Sequence, residues 1–117
     1  MSELHASLSQ LREGPGVSGV ALVDAVTGLV YDQVGTPRTD GVECSELADL
    51  VGTGLHAAGG QGELESIVVT TASHHLVTRV LPERTDPLLL CVTLDRERAN
   101  LALVSHRLNA FTTGASA

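Results

Sequence analysis

The sequence predicts an α/β sandwich, of the α+β type, built on one five-stranded sheet. The first observation is the order of its hydrophobic segments: helix, strand, strand, helix, strand, strand, strand, helix. The second is length, because 117 residues suit one domain, which we expect to span residues 1–117 with a frayed tail at 112–117. The third is composition, since 43% hydrophobic and 18% charged residues are typical of a packed globular chain.

Charge and hydropathy exclude several classes of partner. The net charge is −7 and the seven basic residues are all arginines in no basic run, so nucleic acid is not an expected partner. No segment approaches the roughly 20 apolar residues of a membrane span, and no signal peptide opens the chain. We therefore expect no membrane insertion and a cytoplasmic location. Cys44 and Cys91 lie in dissimilar contexts, which favours free thiols.

The first predicted helix is short and amphipathic. Leu4, Leu8 and Leu11 recur at i, i+4 and i+7, which places them on one helical face. Ser2 is the expected N-cap, and Gly14 is expected to take the left-handed conformation that ends the helix.

Two strands follow this helix. Val17 to Asp24 is almost entirely apolar, as expected of a strand covered on both faces, and Leu29 to Val34 forms its partner. Gly28 supplies the positive φ of the hairpin between them. Asp24, at the end of the first strand, is expected to hydrogen-bond within this hairpin.

The second helix is predicted from Val42 to Ala58, with Asp40 as N-cap and Glu43 completing a capping box. Gly52 and Gly54 each cost about 1 kcal/mol relative to alanine inside a helix. They indicate either the close approach of another backbone or an earlier helix end. Five apolar residues of this helix are predicted to share one face: Leu47, Leu50, Val51, Leu55 and Ala58.

Three strands and a helix complete the chain. The strands are predicted at Glu65 to Ala72, His75 to Leu81 and Leu88 to Leu94, and the last of these is the most apolar, hence central. Asp95 is the expected cap of a helix from Glu97 to Phe111. Its inner face comprises Leu101, Val104, Leu108 and Phe111.

No residue pattern predicts catalytic chemistry. His74 and His75 are adjacent on a strand and therefore point to opposite faces, so they are poorly placed to chelate one metal ion. Ser105 and His106 are neighbours on a helix and diverge by about 100°. A phosphate loop would need a Gly-Lys-Ser/Thr sequence, and the chain has no lysine. We predict no catalytic, cofactor-binding or metal-binding residues, no cofactor, and no enzymatic activity.

Two segments carry a resemblance to a known family. The first is Gly16 to Asp24 followed by Gly28-Leu29-Val30, and the second is Leu88 to Leu94 followed by Asn100 to Val104. Together they resemble the opening hairpin, and the last strand and helix, of the roadblock family. This is the dynein light-chain type that includes bacterial MglB-like proteins and actinobacterial conservon members. Many bacterial members carry an arginine soon after the matching Asn-Leu-Ala-Leu stretch, whereas Val104 stands there in this chain and Arg107 comes later.

The resemblance implies a fold and a mode of assembly. The implied sheet is antiparallel, with the first and last helices on one face and the middle helix on the other. The implied assembly is a homodimer in which the third strands pair edge to edge and the middle helices lie side by side. The implied dimer interface contains Leu47, Val51, Leu55, Ile67, Val68 and Val69.

The resemblance also implies a function. Roadblock proteins regulate or scaffold small Ras-like GTPases, and some actinobacterial members are encoded beside a sensor histidine kinase. We therefore expect a non-enzymatic bacterial signalling protein whose GTPase-binding face is rimmed by Glu43, Glu46 and Asp49. The alternative is a small-molecule sensor domain of similar architecture, which would need a cavity between sheet and helix with converging polar groups.

Overall fold

The computed structural model describes residues 3–37, 40–60, 64–81 and 87–116, with side chains described as far as Phe111. The expected N-cap Ser2 lies outside these residues. Three helices and five strands follow in the predicted order: α1 (Glu3–Arg12), β1 (Val17–Asp24), β2 (Val30–Gly35), α2 (Gly41–Ala57), β3 (Ser66–Thr70), β4 (His74–Leu81), β5 (Leu88–Asp95) and α3 (Leu101–Ser116).

The five strands form one antiparallel sheet in the order β2-β1-β5-β4-β3. The apolar strand β5 is central, as its composition predicts, and β2 and β3 are the edges. α1 and α3 cover one face of the sheet, and α2 covers the other face over β1 and β5.

Alternating side chains of the central strands separate two apolar clusters. Even-numbered leucines of β5, such as Leu90 and Leu94, pack with Leu8 of α1 and Leu108 of α3. Odd-numbered residues of β5 face α2 in a smaller cluster, which comprises Ala21, Val23, Cys44, Leu89 and Cys91. Alternate residues of β5 point to opposite faces of the sheet. One set therefore contacts α1 and α3, and the other set contacts α2.

Glycines set the backbone conformation after the C-terminus of α1 and in the β1–β2 hairpin. Gly16, not Gly14, takes a positive φ, of 79°, and Gly14 is instead buried with its amide donating to the Leu11 carbonyl. The expectation for Gly14 was wrong because the chain needs a further turn before it enters β1. Gly28 has the predicted positive φ, of 80°, and lies so close to the start of α2 that a side chain there would meet the Val42 backbone.

Local capping signals fix the start of α2. The Asp40 carboxylate accepts from the Glu43 amide at 2.8 Å, and the Glu43 carboxylate accepts from the Asp40 amide at 3.1 Å. This is the predicted capping box. The helix continues through Gly52 and Gly54 to Ala57, and Gly59, at φ 97°, ends it.

The start of α3 differs from the prediction. Asp95 accepts from the Glu97 amide at 2.9 Å and closes a turn, while the helix begins at Leu101. Asn100 acts as its cap, because its side chain accepts from the Leu103 amide at 3.0 Å. Both residues carry a capping oxygen, so sequence alone did not separate a capped turn from a capped helix. α3 runs to Ser116, and the frayed tail stays a prediction.

Candidate functional site

The surface beside α2 is incompletely covered by the described residues of the chain. α2 lies over β1 and β5, so the same face of β3 and β4 is left partly open. Ile67 and Val69 of β3 share this face with Leu76 of β4, and all three are only half-buried. An apolar strip therefore runs from the flank of α2 to the β3 edge.

The β3 edge presents unpaired backbone groups. Thr71 donates to the His74 carbonyl at 2.8 Å, and Val80 donates to the Glu65 carbonyl at 2.8 Å. Because antiparallel hydrogen bonding alternates along a strand, odd-numbered residues of β3 bond β4. The amides and carbonyls of Ser66, Val68 and Thr70 therefore point outward from the sheet. A short, uncharged edge of this kind is a template for another strand.

A groove of about 320 Å³ lies between the second half of α2 and the sheet. α2 is held at its first half, where Ser45 Oγ donates to the Ala25 carbonyl at 2.7 Å. Ala48 and Gly52 are small and leave space beside the helix after this point. The groove is lined by Ala25, Ala48, Asp49, Gly52, Leu55, Leu64, Val80 and Leu89.

Gly52 and Gly54 lie inside α2, and a Cβ added to either would meet nothing within 4 Å. The described residues therefore give no packing reason for two glycines that weaken the helix. Of the two sequence interpretations, the earlier helix end is wrong. The other interpretation, the close approach of another backbone, stays a prediction, because the described residues bring no other backbone against either glycine.

The predicted dimer residues lie at different places around this surface. Leu55 lines the groove and is 40% exposed, and Ile67 and Val69 belong to the apolar strip. Val68 lies on the opposite face of β3 and is 44% exposed. Leu47 and Val51 are half-buried on α2 but do not line the groove.

The acidic residues predicted at the rim are all exposed on α2. Glu46 and Asp49 lie on its solvent side together with Val42, which is 52% exposed. Glu43 is also exposed, but its carboxylate is engaged in the capping box. Glu46 and Asp49 are therefore the better placed of the three to meet a partner.

Sequence reasoning missed the side of α2 that contacts the sheet. Gly41, Cys44 and Ser45 are buried there, and Ala48 packs beside them. The signal was the spacing of small residues at i, i+3, i+4 and i+7, which the larger apolar residues Leu47, Leu50 and Val51 obscured.

The two cysteines are buried together between α2 and β5. Both are free thiols, as predicted, but they share one packed cluster despite their distance in sequence. The hydrogen bond with Cys44, and then burial, raise the pKa of Cys91 well above the usual thiol value. A buried thiol with a raised pKa, as at Cys91, is suited to packing and not to nucleophilic chemistry.

Other polar residues also have structural partners. Asp24 accepts from the amides of Val26 and Thr27 at 2.8 and 2.9 Å, the predicted hairpin role, and these bonds lower the pKa of Asp24. Ser73 Oγ lies 2.7 Å from His74 Nδ1, and Thr70 Oγ1 lies 2.8 Å from His75 Nδ1.

Metal-binding clusters and membrane-spanning helices are two further kinds of functional feature. Within the described parts of the chain, no three His, Cys, Asp or Glu side chains converge as metal ligands. None of the helices in the described ranges is long and apolar enough to cross a membrane.

Comparison with solved structures identifies the fold. The chain is similar to a Roadblock/LC7 domain from Streptomyces avermitilis, with a TM-score of 0.81 and 20% identity, over 97% of this chain and 94% of that one. Myxococcus xanthus MglB gives a TM-score of 0.81 at 19% identity, over 99% and 94%. A structure described as MglB with tetrameric arrangement gives 0.76 at 14% identity, over 99% and 90%.

These likenesses confirm the sequence resemblance at the level of the fold: the chain has the Roadblock/LC7 fold over nearly its whole length. Neither a protein-family model nor any curated protein sequence matches the chain. The predicted helix arrangement, with α1 and α3 on one face and α2 on the other, is likewise confirmed.

Proposed function

We propose that this protein is a non-enzymatic homodimer that regulates or scaffolds a small Ras-like GTPase in a bacterial signalling system. One observation carries the proposal: a chain with the Roadblock/LC7 fold leaves an open β3 edge beside an apolar strip and groove on the α2 face. The arrangement suits a second copy of the chain. A single two-fold axis would pair the β3 edges of the two copies and would also cover the apolar strip of each copy.

The composition of the groove supports a protein occupant. Seven of its eight lining residues are Ala, Gly, Leu or Val, and the eighth is Asp49 at the exposed side of α2. A second α2 could approach closely at Gly52 and Gly54, where no side chain stands in the way. Leu47 and Val51 stay predictions from the resemblance, as part of the same interface.

The GTPase partner rests on the resemblance, and the surface charge suggests how it docks. Glu46 and Asp49 line the solvent side of α2, on a chain of net charge −7. A partner with a basic patch would be steered toward this rim, and salt would weaken the steering. The sensor histidine kinase and the cytoplasmic location stay predictions that no observation supports further.

The test uses the Ras-like GTPase encoded nearest to this protein in its genome. The double reversal Glu46→Arg with Asp49→Arg should slow its association at low salt by about tenfold. Because Asp49 also lines the groove, sedimentation equilibrium must show that the variant is still dimeric. Association rates would be measured by biolayer interferometry at two salt concentrations, with the GTPase loaded in turn with GDP and a GTP analogue.

A matched control distinguishes the effect of the rim residues Glu46 and Asp49 on association from the effect of net charge. Glu3→Arg with Glu97→Arg makes the same change in charge at exposed positions outside α2, and should slow association much less. Equal slowing by both variants would show that only overall charge acts. An unchanged rate for the α2 variant would remove these residues from the interface.

The sensor alternative is favoured by one observation, the groove itself. Its 320 Å³ is at the lower end of the range of ligand pockets. Asp49 is its single charged lining residue, so the convergent polar groups that a metabolite would need are not present among the described residues. A melting shift with small apolar amines, at a protein concentration where the dimer persists, would favour the sensor.

A further inference from the structure

An apolar surface lies at the corner where the β1–β2 hairpin meets the start of α2. Nine large hydrophobic side chains are exposed among the described residues, and five of them are at this corner. They form the hairpin patch, which comprises Val26, Leu29, Val30, Tyr31 and Val42. Val26 is 76% exposed and Leu29 is 62% exposed. Single exposed hydrophobic residues are ordinary on a protein surface, whereas a contiguous group with polar residues around it is typical of an interaction site.

Close backbone contact brings the residues of the hairpin patch together. Gly28 and Gly41 are both buried, and a Cβ on Gly41 would meet the Gly28 carbonyl oxygen and the Val30 side chain. A Cβ on Gly28 would likewise meet the backbone of Val42. Leu29 directly follows Gly28, and Val42 directly follows Gly41. Leu29, Val30 and Val42 therefore lie around a single contact between the hairpin and α2.

Hydrogen bonds hold Val26 and Tyr31 at the same corner. Ser45 Oγ of α2 lies 3.3 Å from the Val26 carbonyl oxygen. The Asp24 carboxylate accepts from the Val26 amide at 2.8 Å and from the Tyr31 hydroxyl at 3.3 Å. The patch is therefore built on a turn whose backbone is already fixed, which reduces the conformational entropy that is lost when a partner binds.

Among the described residues, the charged groups beside the hairpin patch are carboxylates. Asp24 bonds two of its members, and Asp40 and Glu43 are exposed on either side of Val42. The described arginines lie elsewhere: Arg79 bonds Asn109 of α3, and four lie toward the end of the sheet where β1 begins, namely Arg12, Arg96, Arg98 and Arg107. A partner that covers the patch therefore meets negative charge at its edge, which favours lysine or arginine on that partner.

The geometry of β2 indicates how such a partner binds. β2 is an edge of the sheet, but its register with β1 shifts between Leu22 and Val23, which leaves Tyr31 as an extra residue. A bulge of this kind twists an edge strand and interrupts the regular series of outward amides that an added strand needs. The partner therefore contacts the patch through side chains. An amphipathic helix makes such contacts with apolar residues that recur every three or four positions.

We propose that the hairpin patch binds a basic amphipathic helix of a partner protein. Apolar residues of the helix cover Val26, Leu29 and Val42, and its lysines or arginines lie against the carboxylates at the edge. Charge selects this occupant over two others. A second copy of this chain would bring the same carboxylates against each other, and an anionic membrane surface would repel a chain of net charge −7. Three strands separate β2 from β3, so this site does not use the edge that the proposed dimer pairs.

The experiment titrates the ¹⁵N-labelled full chain with a blocked peptide of about 14 residues, or about four helical turns. Leucine recurs in it at i, i+3, i+4 and i+7, and lysine fills the other positions. We expect saturable shifts of the amides of Val26, Leu29, Tyr31 and Val42. A peptide with glutamate in place of every lysine keeps the apolar face and should bind at least about tenfold more weakly.

A second control peptide tests the helical conformation of the occupant. It has the same composition as the first, but leucine and lysine alternate, which favours an extended strand. It should also bind at least about tenfold more weakly, because the bulge at Tyr31 disfavours strand addition. Equal or tighter binding of the alternating peptide would overturn the proposal, since β2 would then accept a strand.

Variants of the protein locate the contact. Leu29→Ser should weaken binding of the helical peptide by about tenfold, because a leucine that the peptide buries is lost. Val26→Ser, at the most exposed position of the patch, should weaken binding in the same direction. The matched control is Leu103→Ser, which changes an exposed leucine of α3 and should leave the affinity unchanged.

Four outcomes would contradict a site at the hairpin. They are equal effects of Leu29→Ser and Leu103→Ser, equal binding of the lysine and glutamate peptides, amide shifts centred on Leu55 in the groove, and shifts spread evenly over all exposed acidic residues. The third would assign the helix to the groove, and the fourth would show that only overall charge attracts the peptide.

Discussion

At the scale of single residues, the thiol pair shows what local sequence cannot encode. Cys44 begins a helix and Cys91 is central in β5, and nothing in either local context refers to the other. They meet because the small residues around Cys44 allow α2 to pack closely on the sheet. The contact is a product of helix-on-sheet packing, which depends on both elements at once.

The raised pKa of Cys91 predicts a pH dependence of stability. The folded protein keeps the Cys91 proton above about pH 8.5, where the unfolded chain releases it. The unfolded state then binds fewer protons, so the free energy of unfolding falls as pH rises, by about 1.4 kcal/mol per pH unit. The stability from this thiol is fully present below that pH. Urea unfolding under reducing conditions from pH 7 to 10 would measure the slope.

The control for this slope is Cys91→Ala. The variant is less stable at neutral pH because it leaves a small cavity, but its curve against pH should be flatter than that of the natural chain. Parallel curves for the two proteins would show that other groups cause the alkaline loss.

At the scale of elements, short-range signals predicted well and longer-range ones did not. The Asp40–Glu43 capping box was predictable because its partners are three residues apart. The start of α3 was not, since Asp95 and Asn100 offer equivalent caps and packing of Leu101 on the core decides between them. The sheet-facing side of α2 was missed because small residues there allow close contact, which hydrophobicity does not record.

The prediction for α2 concerns the effect of replacing Gly52 on stability and on self-association. Gly52→Ala should raise the unfolding free energy of the monomer by about 1 kcal/mol, because the added Cβ meets open space and alanine favours helix. The same Cβ projects toward the groove, so the variant should weaken self-association. Urea unfolding at low protein concentration and sedimentation equilibrium would measure the two effects.

Thr53→Ala is the matched control on the exposed side of the same helix. It should also stabilise the helix and should leave the dimer dissociation constant unchanged. Stronger self-association of Gly52→Ala would mean that the groove is filled by a side chain, and that α2 does not approach there through its backbone.

At the scale of the molecule, the order and distribution of elements were predictable and the open surfaces were not. The alternation of hydrophobic segments is a property of the chain, and the resemblance supplied the rest of the topology. The groove and the half-buried strip depend on where α2 stops covering the sheet. No local sequence pattern indicates where a helix stops covering the sheet. These open surfaces are therefore visible only in the structure.

The last prediction tests the β3 edge. The Val68 amide points outward, so Val68→Pro removes a donor from the open edge and leaves the bonds between β3 and β4 intact. The variant should fold with a melting temperature close to that of the natural monomer and should not dimerise. Val69→Pro removes an amide that bonds β4 and should destabilise the monomer itself. Light scattering at tens of micromolar, with circular dichroism, separates the two variants. A natural chain of monomeric mass, or a Val68→Pro variant that still dimerises, would show that β3 is not the pairing edge.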